Sequence, residues 1–362
     1  MRKIFILIFH FAARAIDYYF RLKNTPRYLA NIGLILIGSS SITFGAVAAF
    51  QFGNVPITAS FTFGDAPSAQ LVLGFCVLVI GILFEIASHL RDIQRENRRR
   101  IAVIELRGLR GVSGAPLAEA IPKSIRGTKD PLLISLKPKD DGQIEPIAAI
   151  KEISTVVSTL QQREQGQNRA DIVRVFGGLA PVPFLFLTGV MLDNEQGLEA
   201  ILDWDRDLLK WRELDGVDDL YRFVPSNVQE LPDKTDEVIL AVSASFKVDI
   251  EGALQAAGDL PLVELDLENR STTSHWSESK QIALAASLRN TVQILKDKGV
   301  KKIHLFLAAP ASLSFRFGTQ FDKRLSPPTI IYQYEPDHKP PFPWGISLPV
   351  AGKEEASIEI LS

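Results

Sequence analysis

Two long apolar stretches dominate the first hundred residues of the chain. Residues 28–84 contain a single charged side chain, Asp65. Within them, residues 29–50 and about 66–86 are each long enough to cross the roughly 30 Å hydrocarbon layer as a helix that rises about 1.5 Å per residue. The pattern therefore predicts a two-helix transmembrane hairpin, which with a basic cytoplasmic linker occupies residues 28–100.

Basic residues flank this predicted hairpin on both sides. Six Lys or Arg residues precede it, five follow it within residues 91–100, and the connecting loop of residues 51–68 has none. Because cytoplasmic flanks carry the excess of Lys and Arg, we expect both ends to face the cytoplasm. Residues 1–27 are predicted to form an amphipathic helix in the membrane interface. A secretory signal peptide is the alternative for this start, although Arg14 and Asp17 interrupt its apolar run.

Two roles remain open for the hairpin, passive anchorage and helix association. Ser41, Gly45 and Ala49 recur every four residues and predict a small-residue face that lets another helix approach closely. Glu85, four residues before His89, is an ionisable group near the cytoplasmic end of the second span, where it can pair with that histidine or with a neighbouring chain, or where its side chain can simply snorkel to the membrane edge. These features favour helix association.

Strand-like and helix-like segments alternate through the rest of the chain. Apolar or β-branched runs bounded by Gly or Pro predict buried strands, and residues 145–162 predict a helix. A second helix carries Leu284, Leu288, Val292 and Leu295 on one face. This alternation predicts an α/β fold of parallel sheets with helical crossovers. The main predicted strands are residues 101–108, 131–138, 171–178, 237–245, 261–267 and 303–310.

An internal repeat divides this region into two units. The motif A-P-x-x-x-x-F-x-x-G occurs at residues 180–189 and again, 129 residues later, at residues 309–318. Each copy follows a predicted strand and precedes a strand-like stretch that ends in aromatic and acidic residues, at residues 200–205 and 329–335. The agreement in flanking pattern favours duplication. We assign residues 101–232 to the first unit and residues 233–362, with a proline-rich tail, to the second.

Charge and cysteine content limit the kinds of ligand and site that the protein is expected to have. Beyond residue 100, 29 basic side chains stand against 37 acidic ones, a net charge of −8. That balance disfavours binding of long nucleic acid and leaves a small anionic ligand held by a few directed groups. The lone cysteine, Cys76, lies in the second span, so no disulfide framework or cysteine metal site is expected. The five histidines show no ligand spacing, and we expect neither a metal nor a cofactor.

The repeat also predicts where a small anionic ligand would bind. A strand that ends in Ala-Pro and turns into a helix directs free helix amides to the carboxyl edge of the sheet, where doubly wound folds hold phosphates. In the second unit, Ser243, Ser245, Lys247, Trp276 and Ser312 bring hydroxyls, a cation and an aromatic ring towards this edge. Structural roles stay open: the tryptophan as a core or surface aromatic, the lysine as a solvated charge, and Ala-Pro as a helix start.

Catalytic signatures are missing from the sequence. Gly108, Gly111 and Gly114 form G-x-x-G-x-x-G and not the dinucleotide-binding motif, and the sequence has no phosphate-loop, H-E-x-x-H or G-x-S-x-G motif. These absences favour a binding protein over an enzyme.

The same segments resemble a known family. Residues 237–245 (EVILAVSAS), 307–318 (LAAPASLSFRFG) and 328–335 (PTIIYQYE) resemble the SAVED domain, a fusion of two CARF-like, Rossmann-like units that recognises cyclic oligonucleotides. The resemblance covers about residues 101–349 and is looser in the first unit. With the preceding hairpin, the chain is similar to the membrane-spanning SAVED effectors of bacterial cyclic-oligonucleotide-based antiphage signalling (CBASS).

The resemblance implies a membrane-anchored receptor and effector in antiphage defence, not an enzyme. A partner cyclase would make the cyclic oligonucleotide, and a homo-oligomer with cytoplasmic N terminus and SAVED domain would disrupt the bacterial inner membrane, which leads to abortive infection. A membrane-tethered enzyme that degrades the messenger and a structural anchor that recruits a partner are the alternatives.

The resemblance also implies a set of pocket residues in the second unit. Gly177 and Gly178 before the first Ala-Pro depart from the second copy, which leaves open whether the first unit contacts the ligand. The implied ligand-binding residues are Ser243, Ser245, Phe246, Lys247, Trp276, Pro310 and Ser312.

Overall fold

The computed structural model divides the chain into two compact units, Met1–Asn97 and Arg98–Ser362, which are described separately below. The interfacial helix expected at residues 1–27 lies outside the described residues. The structure describes residues 31–33, 35, 43–52, 55–62, 68–109, 115–137, 143–192, 197–232, 234–352 and 355–360.

The first unit contains a β-hairpin and a long helix. Residues 31–33 and 35 are helical, and strand β1 (Thr43–Phe52) then pairs in antiparallel fashion with β2 (Val55–Thr62). Helix α1 (Ser68–Arg98) follows. Within the part of the chain that the structure describes, its segment Gly74–Arg91 is the one stretch of helix long and apolar enough to cross a membrane, and 11% of that segment is buried.

The prediction for the first span is wrong in its second half. Gly45 and Ala49 lie in β1, so they do not form a helical small-residue face, and Ser41 lies outside the described residues. Hydropathy alone does not distinguish an apolar helix from an apolar strand, and residues 43–62 are rich in the β-branched and aromatic residues that favour strands. The second span is helical as predicted, and the helix continues beyond residue 86 through the basic segment to Arg98.

Gly33 makes a close backbone contact in the first unit. A Cβ atom added to this buried glycine would lie 2.6 Å from the backbone nitrogen of Leu78 in α1. Because any side chain would push the two backbones apart, glycine is required for this approach.

The second unit begins with a five-stranded sheet. Its strands are β3 (Arg100–Arg107), β4 (Thr128–Ser135), β5 (Ile172–Leu179), β6 (Leu198–Asp205) and β7 (Lys210–Glu213). They lie in the order β4-β3-β5-β6-β7, with β3 to β6 parallel and β7 antiparallel to β6. The connections contain a 3₁₀ turn (Arg169–Asp171) and the helices α2 (Leu117–Ala120), α3 (Pro146–Glu164) and α4 (Val182–Leu192).

A seven-stranded sheet forms the other half of the second unit. Strands β9 to β12 are parallel, and β8, β13 and β14 pair in antiparallel fashion at the sides. The strands are β8 (Phe223–Ser226), β9 (Glu237–Ser243), β10 (Leu262–Leu267), β11 (Lys302–Ala308), β12 (Thr329–Gln333), β13 (Trp344–Ser347) and β14 (Ser357–Ile360). The helices are α5 (Ile250–Ala257), α6 (Glu278–Asp297) and α7 (Ala311–Thr319).

The two sheets share one plan, as the duplication predicts. The order β10-β9-β11-β12-β13 repeats the order β4-β3-β5-β6-β7, and in both sheets the last of these strands is antiparallel. The predicted α/β fold with two Rossmann-like units is therefore confirmed. Strand β8 pairs with β10, so the chain enters the second sheet before residue 233.

Both predicted amphipathic helices are present. In α6, the four residues expected on one face are all buried. In α3, which begins after Glu145, the carboxylate of Glu145 accepts hydrogen bonds from the N–H groups of Ile147 and Ala148 and caps the helix. Ile147, in the first turn of α3 beside the cap, is 68% exposed.

The repeated motif lies where α4 and α7 pack together. Phe176 of β5 stacks on Phe315 of α7 with ring centroids 3.5 Å apart, and Phe186 of α4 meets Phe321 edge-on at 5.0 Å. Both helices are almost wholly buried. The Phe and Gly positions of the motif thus join the two halves through a common core.

Candidate ligand-binding site

A cavity of about 900 Å³ opens at the carboxyl ends of the parallel strands. Both halves of the second unit contribute to it. The first provides Ala180 and Pro181 after β5 and residues 203–207 from the end of β6, and the second provides residues 245–249 after β9 and residues 309–311 after β11. In doubly wound sheets this edge is the usual ligand site. The first half therefore lines the site as well, which the sequence left open.

Equivalent backbone hydrogen bonds shape the cavity in the two halves. The N–H groups of Gly108 and Leu109 both donate to the carbonyl of Leu179, at 2.7 and 3.1 Å. The N–H groups of Ala244 and Ser245 both donate to the carbonyl of Ala308, at 2.9 and 3.0 Å. Each pair ties the end of the first strand to the residue just before Ala-Pro, so both Ala-Pro turns face the cavity.

A carboxylate of the protein itself binds the helix N–H group that was expected to face a phosphate. The N–H of Ser312, in the first turn of α7, donates to Oδ2 of Asp203 at 2.9 Å, and Asp203 is buried. The Ser312 hydroxyl accepts a hydrogen bond from the Gln281 side chain at 2.8 Å, and Ser312 itself is 1% exposed. The expectation that Ser312 lines the pocket is therefore corrected, because its amide and hydroxyl both bind protein groups.

Ser243 has a structural position as well. Its buried hydroxyl accepts a hydrogen bond from the N–H of Val248 at 3.1 Å and so fixes the turn between β9 and α5. The other five residues implied by the resemblance do line the cavity, namely Ser245, Phe246, Lys247, Trp276 and Pro310.

The ammonium of Lys247 is held by two carboxylates. It pairs with Glu264 and, at 3.2 Å, with Asp266, two residues of β10. The hydrogen bond to Glu264 is the main cause that raises the pKa of Lys247. Phe246 beside it is 65% exposed at the cavity surface. This part of the wall thus presents an uncovered aromatic ring next to a lysine already paired with acidic groups.

Trp276 sits among other groups of the wall. The guanidinium carbon of Arg212 lies 4.6 Å from its ring centroid, and the His275 ring lies at 4.5 Å. Arg212 in turn contacts Asp215 at 3.0 Å and Asp205 at 3.6 Å. Hydrogen bonds from backbone N–H groups, that of Leu208 first, with Arg212 as a smaller cause, lower the pKa of Asp205. Because Arg212 and His275 already contact the indole, its surface for a ligand is reduced.

Several lining residues were not identified from the sequence. Arg206 is exposed at the cavity and makes no hydrogen bond or ion pair with any residue that the structure describes. It follows the strand-like stretch at residues 200–205, whose aromatic and acidic ending was the available signal. The imidazole Nε2 of His275 lies 3.4 Å from Oδ2 of Asp203, a buried pair that no sequence motif announces. Tyr334, 49% exposed, adds a second accessible aromatic ring.

No group of three or more His, Cys, Asp or Glu residues suited to a metal ion occurs among the residues that the structure describes.

Comparison with known families decides the affiliation. The model of the SAVED family, described as the SMODS-associated and fused to various effectors sensor domain, matches residues 157–348. The chain belongs to the SAVED family. A second model, the SAVED-fused 2TM effector domain, matches residues 5–150, so the SAVED sensor is joined here to a transmembrane effector domain. That description includes two transmembrane helices, of which α1 supplies the one candidate among the described residues.

Solved SAVED structures are similar over part of their length, and no curated protein matches the chain. The Acinetobacter baumannii Cap4 SAVED/CARF-domain containing receptor, solved with the cyclic trinucleotide 2'3'3'-cAAA, shares 12% identity with a TM-score of 0.44, covering 77% of this chain and 54% of that one. The Moraxella osloensis Cap4 receptor shares 14% identity with a TM-score of 0.38, covering 64% of this chain and 46% of that one. The chain thus spans about half the length of these receptors.

Proposed function

We propose that this SAVED protein is a membrane-anchored receptor that binds a cyclic oligonucleotide in the cavity and acts through its N-terminal domain on the bacterial inner membrane. The observation that supports this most directly is the cavity itself. At about 900 Å³ it stands at the upper end of small-molecule sites, and two Rossmann-like halves line it at the sheet edge where nucleotides bind in such folds. A partner cyclase would supply the messenger.

Phe246, Tyr334 and Arg206 are the groups best placed to hold a nucleotide. The two exposed rings offer stacking surfaces that suit any base. Arg206 offers a guanidinium with no partner among the described residues, and a guanidinium matches a phosphate through paired hydrogen bonds. This assignment shifts the phosphate contact from the amide of Ser312 to the end of β6.

The effector part of the proposal concerns the membrane. Ligand binding would change the packing of SAVED domains in a homo-oligomer, and α1 would pass that change to the membrane domain. We propose that both termini are cytoplasmic, in keeping with the Lys and Arg residues at either end of the first hundred residues. With Cys76 replaced by Ser, single cysteines at Thr58 and Gln94 test this topology, since an external thiol reagent on intact cells should reach only the cysteine at position 58.

An enzyme that degrades the messenger is the second candidate, and one observation favours it. The Asp203–His275 pair at the cavity has the carboxylate–imidazole arrangement that orients a general base. We nevertheless propose a receptor, because Asp203 also accepts hydrogen bonds from the N–H groups of Trp204 and Ser312 and so serves to join the two halves.

One experiment separates these functions. Full-length protein in lipid nanodiscs is titrated with cyclic di- and trinucleotides, and each ring is then recovered and analysed by chromatography. Binding with recovery of the intact ring supports the receptor, whereas a linear product supports the enzyme, and a failure of every ring to bind overturns both.

Matched variants then test the site. Arg206→Ala should weaken binding about tenfold or more, as expected for a charged hydrogen bond. Lys301→Ala removes a cation paired with Asp236 at the other edge of the sheet and should leave binding unchanged. Equal effects of the two substitutions would show that general charge, and not a contact at β6, is responsible.

A further inference from the structure

Two residues of the cavity wall carry buried polar atoms that lack hydrogen-bond partners. They are Nδ1 of His275 and Oε1 of Gln333, the only such side-chain atoms in the part of the chain that the structure describes. Both residues line the cavity. An unpaired buried polar atom destabilises a fold, so its presence calls for a physical reason. That both instances fall on one cavity points to a ligand as the missing partner.

The orientation of the Gln333 amide is fixed by a neighbour. Its Nε2 donates to the carbonyl oxygen of Tyr334 at 2.8 Å. Exchanging the amide nitrogen and oxygen would place two oxygens against each other, so Oε1 is the unpaired atom. An amide oxygen accepts hydrogen bonds and does not donate them. Gln333 therefore offers the cavity an acceptor.

We assign the proton of a neutral His275 ring to Nε2, the nitrogen that faces a carboxylate. Nε2 lies 3.4 Å from Oδ2 of Asp203, and a carboxylate favours a proton on the ring nitrogen that faces it. Asp203 is itself held in place by the N–H groups of Ser312 and Trp204. In the neutral ring with the proton on Nε2, Nδ1 carries a lone pair and is an acceptor. His275 thus offers a second acceptor.

We propose that His275 and Gln333 are specificity-determining residues that accept hydrogen bonds from exocyclic amino groups of the ligand's bases. This inference rests on the proposed function and narrows the ligand to a cyclic oligonucleotide that contains adenine, cytosine or guanine. An amino group only donates and projects from the edge of the base further than a ring N–H does, so it suits these two acceptors, whereas a ribose hydroxyl pairs equally well with a donor or an acceptor. Both acceptor atoms are covered by neighbouring groups, and rotation of those covering groups, of the kind common on binding, exposes the two atoms to the ligand.

Rings with and without amino groups test the proposal. Full-length protein in nanodiscs is titrated by calorimetry with adenosine, cytidine and guanosine rings of one size and linkage, and with the corresponding inosine and uridine rings, which lack an exocyclic amino group. At least one amino-bearing ring should bind about tenfold or more tighter than its deaminated counterpart, the effect of one well-placed hydrogen bond. The 2'-deoxy form of that ring tests whether a ribose hydroxyl is the donor instead. If the amino group is the donor, as we propose, the 2'-deoxy ring should bind with unchanged affinity.

Two substitutions connect the discrimination to these residues. Gln333→Met and His275→Phe keep the shape of each side chain and remove the acceptor, so each should bring the affinity ratio of the paired rings close to one. Gln320→Met and His338→Phe, which lie outside the cavity lining, should leave that ratio unchanged. Because a folding defect weakens both rings alike, the ratio isolates recognition from stability.

The outcomes are distinguishable. If no ring binds, the proposed function fails. If amino-bearing and deaminated rings bind equally to the wild type, or the two substitutions weaken both rings by the same factor, the function stands and the recognition by His275 and Gln333 is overturned. Loss of affinity on removal of the 2'-hydroxyl, with no effect of the amino group, also overturns it.

Discussion

Gly189 and Gly318, 129 residues apart, lie against each other where α4 and α7 cross. A Cβ atom added at Gly189 would overlap the carbonyl oxygen of Phe315, and one added at Gly318 would overlap the carbonyl oxygen of Phe186. Because each glycine of the repeated motif has no side chain, the backbone carbonyl of the phenylalanine in the other copy can approach it closely. The two copies of the motif thus form a two-fold contact between the halves. Each Ala-Pro turn of the cavity wall leads directly into one of these helices, so the contact also holds the two turns in place.

Gly318→Ala should destabilise the second unit. Alanine favours an isolated helix over glycine by about 1 kcal/mol, but here its Cβ meets backbone that cannot rotate away, and overpacking of this kind costs about 1–3 kcal/mol. Gly189→Ala should do the same. The measurement is the midpoint of urea unfolding followed by tryptophan fluorescence. A midpoint equal to that of the wild type would mean that α4 and α7 can separate without cost.

Prediction from the sequence worked best for structure that depends on residues close together in the chain. Alternation of apolar runs with Gly and Pro predicted strands such as β5 and β11, because those signals are local. Ser312 and Ser243 were correctly predicted at the carboxyl edge of the sheet. They were wrongly predicted to face a ligand, because their polar groups bind other protein groups. The partner of the Ser312 amide, Asp203, lies 109 residues away, and no spacing within either unit predicts that pairing. In β1 the error was different, since hydropathy reports burial in a membrane or core and not backbone conformation.

Glu264→Gln should strengthen binding of an anionic ring. The substitution removes the carboxylate that holds the Lys247 ammonium, which then turns more readily towards the cavity. We expect about a two- to fivefold lower Kd, in line with an exposed ion pair, and a smaller gain as salt is raised. Asp236→Asn is the matched control because it breaks an exposed pair with Lys301 outside the cavity lining. If both variants gain equally, net charge and not Lys247 is the cause.

Stability should fall as the pH drops below about 6.5, through His304. This buried histidine makes 2.8 Å hydrogen bonds to the Tyr332 hydroxyl and to Glu237, and burial lowers its pKa. The unfolded chain therefore takes up the proton first, at a pKa of about 6.5, and the folded state loses stability as the pH falls through that value towards the lower folded pKa. Burial also raises the pKa of Tyr332, which therefore stays neutral in this range.

The thermal unfolding midpoint between pH 8 and pH 5 measures this effect. His304→Gln should flatten the pH dependence relative to the wild type, whereas His338→Gln, at an exposed histidine, should not. The hydrogen bond from His304 lowers the pKa of Glu237, so its contribution is lost only at more acidic pH, below about 4.5. A wild-type midpoint that does not change between pH 8 and pH 5 would contradict the assignment.

Gly33→Leu should separate ligand binding from the effect on the membrane. The cavity lies wholly within the second unit, so its affinity for a cyclic ring should stay unchanged. In the first unit, a leucine at position 33 forces the backbone away from Leu78 of α1, and helix association in lipid depends on such close packing because lipid tails solvate apolar side chains equally well. We therefore expect normal insertion but no depolarisation or growth arrest when a cyclase that makes the ring is induced. Ile32→Leu, at an exposed apolar neighbour, should behave as the wild type. Killing by Gly33→Leu at equal expression would show that this contact is incidental, and loss of ring binding would show instead that the membrane domain is coupled to the cavity before the ligand arrives.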